Sequence, residues 1–317
     1  MYDVLSAGIA TWDTIFSGID ADIMEKDGQT AEGYFAASGG DAVNGAVSLA
    51  KFGMKTAVCA CVGMDESAGL IEEDLRKAGA DPYLYHDPDV HTAAPVLLLD
   101  EKGERHIIRV PDNGNLFFRA DMIPEELLNQ CRHLHIASVN MLAKLDGKPL
   151  ADLFAKCHEK GITTSLDASY DKKGKWLENV EGALHNCDIF IPSFQEASIY
   201  AQSKNIDDII AFFRKWPLKI FGIKLGADGV VLTDFRKVIK LPALADGKVV
   251  DTTGAGDAFI SAFVAAWLKG YDLASSGLLA SGQSAMVLGS IGANKGAGTL
   301  EQAAAIAEKH GYSLTKR

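Results

Sequence analysis

The segment Asp251-Thr252-Thr253-Gly254-Ala255-Gly256-Asp257 stands directly before the apolar run AFISAFVAAWL. That run predicts a helix, and the small residues before it let the chain turn sharply at the helix start. The first N–H groups of a helix have no partner within it and favour a bound anion such as a phosphoryl group. Asp257 could then take the proton from an attacking hydroxyl. The same residues would equally suit a tight turn with Asp257 as helix N-cap.

Short apolar runs alternate with segments of helical spacing along the chain. The runs are mostly rich in β-branched residues and predict buried strands at residues 4–10, 56–62, 134–138, 163–167, 188–192 and 220–224. The helical spacing predicts helices at residues 41–52, 67–78, 148–160, 206–216, 258–269, 273–289 and 300–310. This alternation predicts an α/β fold with a central, mostly parallel sheet flanked by helices.

Two stretches, residues 15–37 and 94–118, interrupt this alternation. In the second, the sequence VLLLDEKGERHIIRV predicts a hairpin that turns at Glu101 to Gly103. We interpret both stretches as insertions that build a small β lid on a single domain spanning residues 1–317. The unpaired edges and apolar face of such a lid predict a homodimer formed through it.

Composition and charge narrow the class of protein. The chain carries 42 acidic and 31 basic residues, a net charge of −11, and no block of Lys or Arg stands out. This pattern argues against nucleic acid and anionic membranes as partners. The start has no basic region typical of a signal peptide, and no apolar run approaches the ~20 residues of a membrane span, so a cytoplasmic enzyme is expected. The five cysteines are scattered and predict buried thiols.

Two further segments accompany the one that ends at Asp257. Ser38-Gly39-Gly40-Asp41-Ala42-Val43-Asn44-Gly45-Ala46 opens an early helix, and residues 8–13 follow the first strand. Together the three segments resemble the ribokinase-like (PfkB) family of carbohydrate kinases, which has a Gly-Gly signature near the N-terminus and a DTxGAGD signature near the C-terminus. The resemblance covers essentially the whole chain. It implies an ATP-dependent kinase that phosphorylates a primary hydroxyl of a sugar or sugar-like substrate.

The resemblance also implies roles for individual residues. Asp257 would be the general base, and an anion hole would be formed by the amides of Gly254, Ala255 and Gly256. Substrate hydroxyls would be held by Asp13, Gly39, Gly40 and Asn44. Taken alone, Asp13 would also fit a solvated loop acid or a helix cap.

A departure from the family lies after a central strand. The family has an Asn-x-x-Glu motif there, whose Glu organises the magnesium shell through water, whereas this chain has Ser193-Phe194-Gln195-Glu196. The resemblance therefore implies a Mg²⁺ role for Glu196 and leaves one for Ser193 in doubt. Without the resemblance, Glu196 reads as an acid in the first turn of a helix.

The same resemblance implies which residues bind the nucleotide and a monovalent cation. The segment at residues 224–229 matches the place where the family holds nucleotide phosphates and ribose, which implies ATP binding by Lys224, Gly226 and Gly229. Asn294 would line the adenine pocket. Potassium would be bound by Asp251 and Thr253, with carbonyl groups from Gly292 and Gly296 if the loop has the expected shape.

Arg109 lies in the second insertion, on a predicted strand that would face the substrate. It could contact a carboxylate or phosphate on the substrate, or belong to a solvated strand face. Two other functions stay open. A nucleoside kinase of the same family would bind a nucleobase through aromatic residues such as Trp12, Phe16 or Phe117. A non-catalytic sugar-binding regulatory protein would keep the fold, but it would have no need of the base.

Overall fold

The computed structural model describes residues 1–100, 105–244, 247 and 249–317. Its strands are β1 (Val4–Ala7), β2 (Thr11–Ser17), β3 (Gly33–Gly39), β4 (Thr56–Val62), β5 (Ala80–His86), β6 (Val96–Leu99), β7 (Arg105–Ile108), β8 (His133–Val139), β9 (Thr163–Ala168), β10 (Ile189–Phe190), β11 (Ile220–Lys224), β12 (Val230–Thr233) and β13 (Val238–Leu241). Its α-helices are α1 (Asp41–Lys51), α2 (Glu66–Ala78), α3 (Glu125–Leu128), α4 (Lys148–Glu159), α5 (Leu177–Leu184), α6 (Phe194–Ala201), α7 (Ile206–Phe213), α8 (Ala255–Leu268), α9 (Leu273–Leu288) and α10 (Leu300–Lys309).

A nine-stranded sheet forms the centre of the molecule, in the order β13-β12-β11-β10-β9-β8-β1-β4-β5. The pairs from β11 through to β5 are parallel, and β12 and β13 add two antiparallel pairs at one edge. The chain leaves β1 towards β4 on one side and resumes at β8 on the other. Such a reversal of strand order opens a crevice at the carboxyl ends of parallel strands, where α/β proteins bind ligands.

Burial on both faces explains the composition of the central strands. Every residue of β4 and of β8 is buried, as expected of parallel strands covered by helices on each side. Separate apolar clusters lie against the sheet, one including residues of α4 to α7 and another including residues of α8 to α10. The predicted mostly parallel sheet with flanking helices is therefore confirmed.

A second, four-stranded sheet has the order β3-β2-β6-β7. It joins the two stretches that interrupt the sequence pattern, since β2 pairs with β3 in the first and with β6 in the second. The antiparallel pairing of β6 with β7 confirms the predicted hairpin strands; the predicted turn at Glu101 to Gly103 lies outside the described residues. Whether this sheet acts as a lid and pairs with a second copy stays a prediction.

Several strand boundaries differ from the sequence prediction, because the pairing between strands decides them and the residue composition does not. The strand predicted at residues 4–10 ends at Ala7, and β5, β12 and β13 were not predicted. The strand expected to contain Arg109 ends at Ile108, which pairs with Val96. The next residue of the partner strand is Pro95, which has no N–H to continue the ladder. Arg109 is consequently exposed beyond the strand end.

All five cysteines are free thiols and are buried, as predicted. His133 and His135 are buried residues of β8, and their rings hydrogen-bond to the hydroxyls of Thr163 and Ser165 on β9. Burial lowers the pKa of both, that of His135 to about 3, so both rings are neutral. Within the described parts of the chain, no helix combines the length and apolarity needed to cross a bilayer.

Candidate active site

A cavity of about 760 Å³ opens at the carboxyl edge of the central sheet. Its wall includes residues from the ends of β9 and β11, from the start of α6 and from the first turn of α8. Several residues singled out from the sequence lie in this wall: Glu196, Lys224, Gly226, Gly229, Ala255, Gly256 and Asp257. The fold thus brings together residues from separate sequence motifs.

The start of α8 depends on glycine at position 254. Gly254 is the N-cap residue and has φ of +76°, in the left-handed region that favours glycine. A Cβ atom there would lie only 2.1 Å from the carbonyl oxygen of Ala293. The amides of Gly254, Ala255 and Gly256 donate to no acceptor among the described residues. Free amides at a helix N-terminus are suited to an anion.

Asp257 lies in the first turn of α8 and is half-buried. Its Oδ2 accepts a hydrogen bond of 2.9 Å from Nδ2 of Asn44, a residue of α1. Burial raises the pKa of Asp257 well above its ordinary value, and the carboxylates of Asp41 and Asp167 add to this effect. The Asn44 hydrogen bond and the Lys224 ammonium act in the opposite direction. This carboxyl group is therefore a stronger proton acceptor than an ordinary aspartate.

Asp13 and the Gly-Gly pair meet at the start of α1. Asp13 lies on β2, and its Oδ2 would be 2.2 Å from a Cβ atom at Gly39, so only glycine leaves room for the carboxylate. Gly40 has φ of +87° and caps α1. Burial raises the pKa of Asp13; a hydrogen bond from Thr11 opposes this, and the charge of Asp41 adds to it.

Lys224 ends β11 and pairs with Asp167 near the end of β9. The Lys224 Nζ lies 2.8 and 3.0 Å from the two carboxylate oxygens of Asp167, and the two side chains are only 16% and 7% exposed. Burial opposes the charge of Lys224, but the carboxylates of Asp167, Glu196 and Asp257 outweigh it and raise the pKa of Lys224. Burial raises the pKa of Asp167 to about 7, although Lys224 lowers it.

The ammonium of Lys224 also lies against the start of α8. A Cβ atom at Gly256 would be 3.4 Å from Lys224 Nζ. The positive charge therefore lies close to the free amides of Ala255 and Gly256, which line the same cavity. A transferring phosphoryl group is the kind of anion that such an arrangement stabilises.

Ser193 and Glu196 form a capping box at the start of α6. The Ser193 Oγ accepts from the Glu196 amide, and the Glu196 Oε2 accepts from the Ser193 amide at 2.8 Å. The hydroxyl of Ser193 is thus used by the helix, the role in which an N-cap serine is favoured. The Glu196 Oε1 accepts no hydrogen bond within the described chain and is left for another ligand.

Asp251 links the two segments expected to form a cation loop. Its Oδ1 accepts from the amide and hydroxyl of Thr253, at 2.9 and 2.7 Å, and its Oδ2 accepts from the Gly292 amide at 3.1 Å. Asn294 is placed differently from the adenine-pocket prediction. Its Nδ2 donates to the Ser38 carbonyl at 2.9 Å and to Asn44 Oδ1 at 3.1 Å. Asn294 therefore holds the residue that binds Asp257 and is not part of the cavity wall.

Two acidic residues of the cavity were not singled out from the sequence, Asp41 and Asp167. Asp41 begins α1, and its Oδ2 accepts from the hydroxyls of Ser138 and Ser169. A signal was present for each, since Asp41 follows the Gly-Gly pair and Asp167 stands at the carboxyl end of a predicted strand. Arg109, by contrast, is exposed and outside the wall of this cavity.

Comparison with known proteins shows the family of the chain. The model of the pfkB family of carbohydrate kinases matches residues 3–300. An uncharacterized sugar kinase of Archaeoglobus fulgidus is 26% identical, with 79% of this chain and 98% of that protein covered. An ATP-dependent ribose-1-phosphate kinase of Halopiger xanaduensis is 27% identical, covering 86% and 87%. A nucleoside kinase of Methanocaldococcus jannaschii is 26% identical, covering 86% of each chain.

Solved structures agree on the fold. Ribokinase of Arabidopsis thaliana, in complex with ribose and ATP, superposes with a TM-score of 0.82 at 20% identity and covers 98% of this chain and 99% of its own. Ribokinase II of Escherichia coli, in complex with ATP and Mg²⁺, has a TM-score of 0.81 at 19% identity, with coverage of 98% and 100%. The fold is therefore that of the ribokinase-like kinases.

The family match defines the class of protein, an α/β phosphotransferase that acts on an alcohol group. The chain belongs to the pfkB family of carbohydrate kinases.

Proposed function

We propose that this enzyme transfers the γ-phosphoryl group of ATP to a primary hydroxyl of a sugar or sugar-like molecule, with Asp257 as general base. One observation carries the proposal. The Asp257 carboxylate, the free amides of Ala255 and Gly256 and the Lys224 ammonium meet in one cavity, at the carboxyl edge of the sheet. A base beside an anion hole is the arrangement that phosphoryl transfer to an alcohol requires.

In the proposed reaction the acceptor oxygen attacks the γ-phosphorus while its proton passes to Asp257. The bond from the γ-phosphorus to the bridging oxygen breaks, and ADP leaves with that oxygen. The amides of Gly254, Ala255 and Gly256 stabilise the charge on the transferring group, together with the nearby Lys224 ammonium. Asn44 orients Asp257 through its hydrogen bond, while Asp13 and the Gly-Gly pair hold the remaining hydroxyls of the acceptor.

The cavity fits ATP accompanied by Mg²⁺. Its charged wall contains one ammonium group and several carboxyl groups: Lys224, Asp41, Asp167, Glu196 and Asp257. Within the described residues no three His, Cys, Asp or Glu side chains gather as a metal site. Mg²⁺ is commonly held by one or two carboxylates, waters and phosphate oxygens, and it neutralises charge between β- and γ-phosphates. Glu196, with Oε1 free, and Asp167 would hold it, and Gly226 and Gly229 would adjoin the nucleotide.

The proposed function is tested by incubating the protein with ATP, Mg²⁺ and a panel of sugars, sugar alcohols and nucleosides, and following ADP formation. We expect acceptor-dependent ADP formation with a sugar or sugar alcohol. If nucleosides were the preferred acceptors, the nucleoside kinase alternative would replace the sugar kinase. Mass spectrometry of the product identifies the hydroxyl that is phosphorylated.

The raised pKa of Asp257 predicts the acid limb of the pH profile. A base must be deprotonated to act, so kcat/KM should fall as the pH falls through this raised pKa, well above the ordinary range of aspartate. Folding stability should change in the opposite sense, because ionising a buried carboxyl group costs stability as the pH rises through the same pKa. A kcat/KM that stays level down to about pH 4 would contradict the assignment.

Glu196→Gln should raise the Mg²⁺ concentration needed for half-maximal rate and lower kcat by about tenfold. Glutamine at this position also completes a capping box with Ser193, so the stability of α6 should be preserved. Ser193→Ala is the matched control. It should lower the free energy of unfolding by about 1 kcal/mol through loss of the cap, with little change in Mg²⁺ requirement. An unchanged Mg²⁺ titration in Glu196→Gln would refute a metal role.

We also propose a monovalent cation beside Asp251, because that carboxylate joins the loop around Thr253 to the loop around Gly292. Ordering these loops would order the adjoining start of α8. Replacing tetramethylammonium by potassium at constant ionic strength should therefore raise kcat, and Asp251→Asn should weaken the effect. Equal rates in both salts would remove the cation from the proposal.

A further inference from the structure

Asp41 lines the same cavity as Asp257, which the proposed function assigns to the acceptor together with Asp13. It follows the pair Gly39-Gly40, and the Asp13 carboxylate packs on Gly39. It also precedes Asn44 by three residues on α1, so the two side chains emerge on one face of the helix. Asn44 in turn holds Asp257. Asp41 is thereby linked to Asp13 through the Gly-Gly pair and to Asp257 through Asn44.

The Asp41 carboxylate is fixed in place without a cation. Both hydroxyl bonds, from Ser138 and Ser169, go to Oδ2, and Oδ1 accepts no hydrogen bond within the described chain. No Lys, Arg or His nitrogen of the described residues pairs with Asp13, Asp41 or Asp257. The cation in the cavity wall, Lys224, is bound to both oxygens of Asp167.

The charge of Asp41 acts on both neighbouring carboxyl groups. It raises the pKa of Asp13 and is the leading charge among those that raise the pKa of Asp257. A negative group on the acceptor would meet the same field. Arg109, the residue predicted to neutralise an acceptor phosphate or carboxylate, lies exposed beyond β7 and outside the cavity wall.

We infer that Asp41 is a specificity-determining residue, which restricts the enzyme to acceptors that carry no phosphate or carboxylate group. The inference rests on the proposed kinase function and names its substrate class. Like charges placed together in a desolvated site reject a ligand strongly. One relative is named a ribose-1-phosphate kinase. The proposed preference for unphosphorylated acceptors would therefore separate this chain from a relative in the same family.

The first experiment uses the wild-type enzyme and matched acceptor pairs: ribose against ribose 1-phosphate, fructose against fructose 6-phosphate, and a nucleoside against its 3′-monophosphate. The free primary hydroxyl is kept in each phosphorylated member. We expect kcat/KM from ADP formation to be at least about tenfold higher for the unphosphorylated member. Equal or faster turnover of the phosphorylated members would overturn the inference and leave the kinase function standing. ADP formation with none of the acceptors would overturn both.

The second experiment assigns the selectivity to Asp41. Asp41→Asn keeps an oxygen for the Ser138 and Ser169 hydroxyls but removes the charge. The preference for unphosphorylated acceptors should narrow by about tenfold, and the acid limb of kcat/KM should move to lower pH. Asp152→Asn, which removes an exposed charge on α4, is the matched control and should change neither. An unchanged preference and pH profile in a folded Asp41→Asn enzyme would contradict the role of Asp41.

Discussion

Asp257→Asn should lower kcat by a factor of about 10² to 10⁴ while leaving the fold and ATP binding intact. Asparagine has nearly the shape of aspartate, and its amide oxygen can still accept the hydrogen bond from Asn44. What it loses is the capacity to take the proton of the acceptor hydroxyl. The measurement is single-turnover ADP formation at saturating ATP and acceptor, with ATP affinity measured by calorimetry.

Stability distinguishes this loss of chemistry from misfolding. Ionised Asp257 is held at a cost in the folded protein, because burial and the charges of Asp41 and Asp167 raise its pKa. The asparagine side chain of the variant carries no such cost, so above that pKa the variant should unfold at an equal or higher temperature than the wild type. Asp152→Asn controls for net charge and should keep full activity. A near-normal kcat in Asp257→Asn would contradict the assignment of Asp257 as the general base.

Lys224→Met should reduce kcat/KM by at least about 10², and it should destabilise the protein as well. The change removes the ammonium beside the start of α8 and leaves the carboxyl group of Asp167 without its partner in a buried position. Breaking such a pair lowers the free energy of unfolding by about 3 kcal/mol when the remaining charge stays buried and ionised. Asp167 can bind a proton instead, so the free energy of unfolding should fall most above pH 7 and least in acid.

The double variant Lys224→Met with Asp167→Asn separates the two effects. Removing the orphaned charge should recover most of the lost stability, because no buried ion is then unpaired. Activity should stay low, since the phosphoryl group still lacks the ammonium and Mg²⁺ lacks one of its proposed carboxylates. Chemical denaturation at pH 6 and pH 8 gives the stabilities. A double variant with restored kcat/KM would show that Lys224 serves the fold alone.

The sequence by itself determined most of the succession of strands and helices, although not β5, β12 and β13, and it showed the motifs at residues 38–46 and 251–257. These signals are local. Buried parallel strands need short apolar runs, and a sharp turn before a helix needs a residue such as Gly254 that tolerates positive φ. The free amides at the start of α8 follow from the same local rule.

Only the tertiary structure decided which side chains meet. Asn44 and Asp257 are 213 residues apart in the chain, and Lys224 and Asp167 are 57 apart. Asn294, expected near adenine, instead bonds to the Ser38 carbonyl and to Asn44. A polar side chain bonds to whatever the fold places within about 3 Å, and burial then makes that bond obligatory. Spacing along the sequence does not specify such partners, because they depend on the register and packing of whole elements.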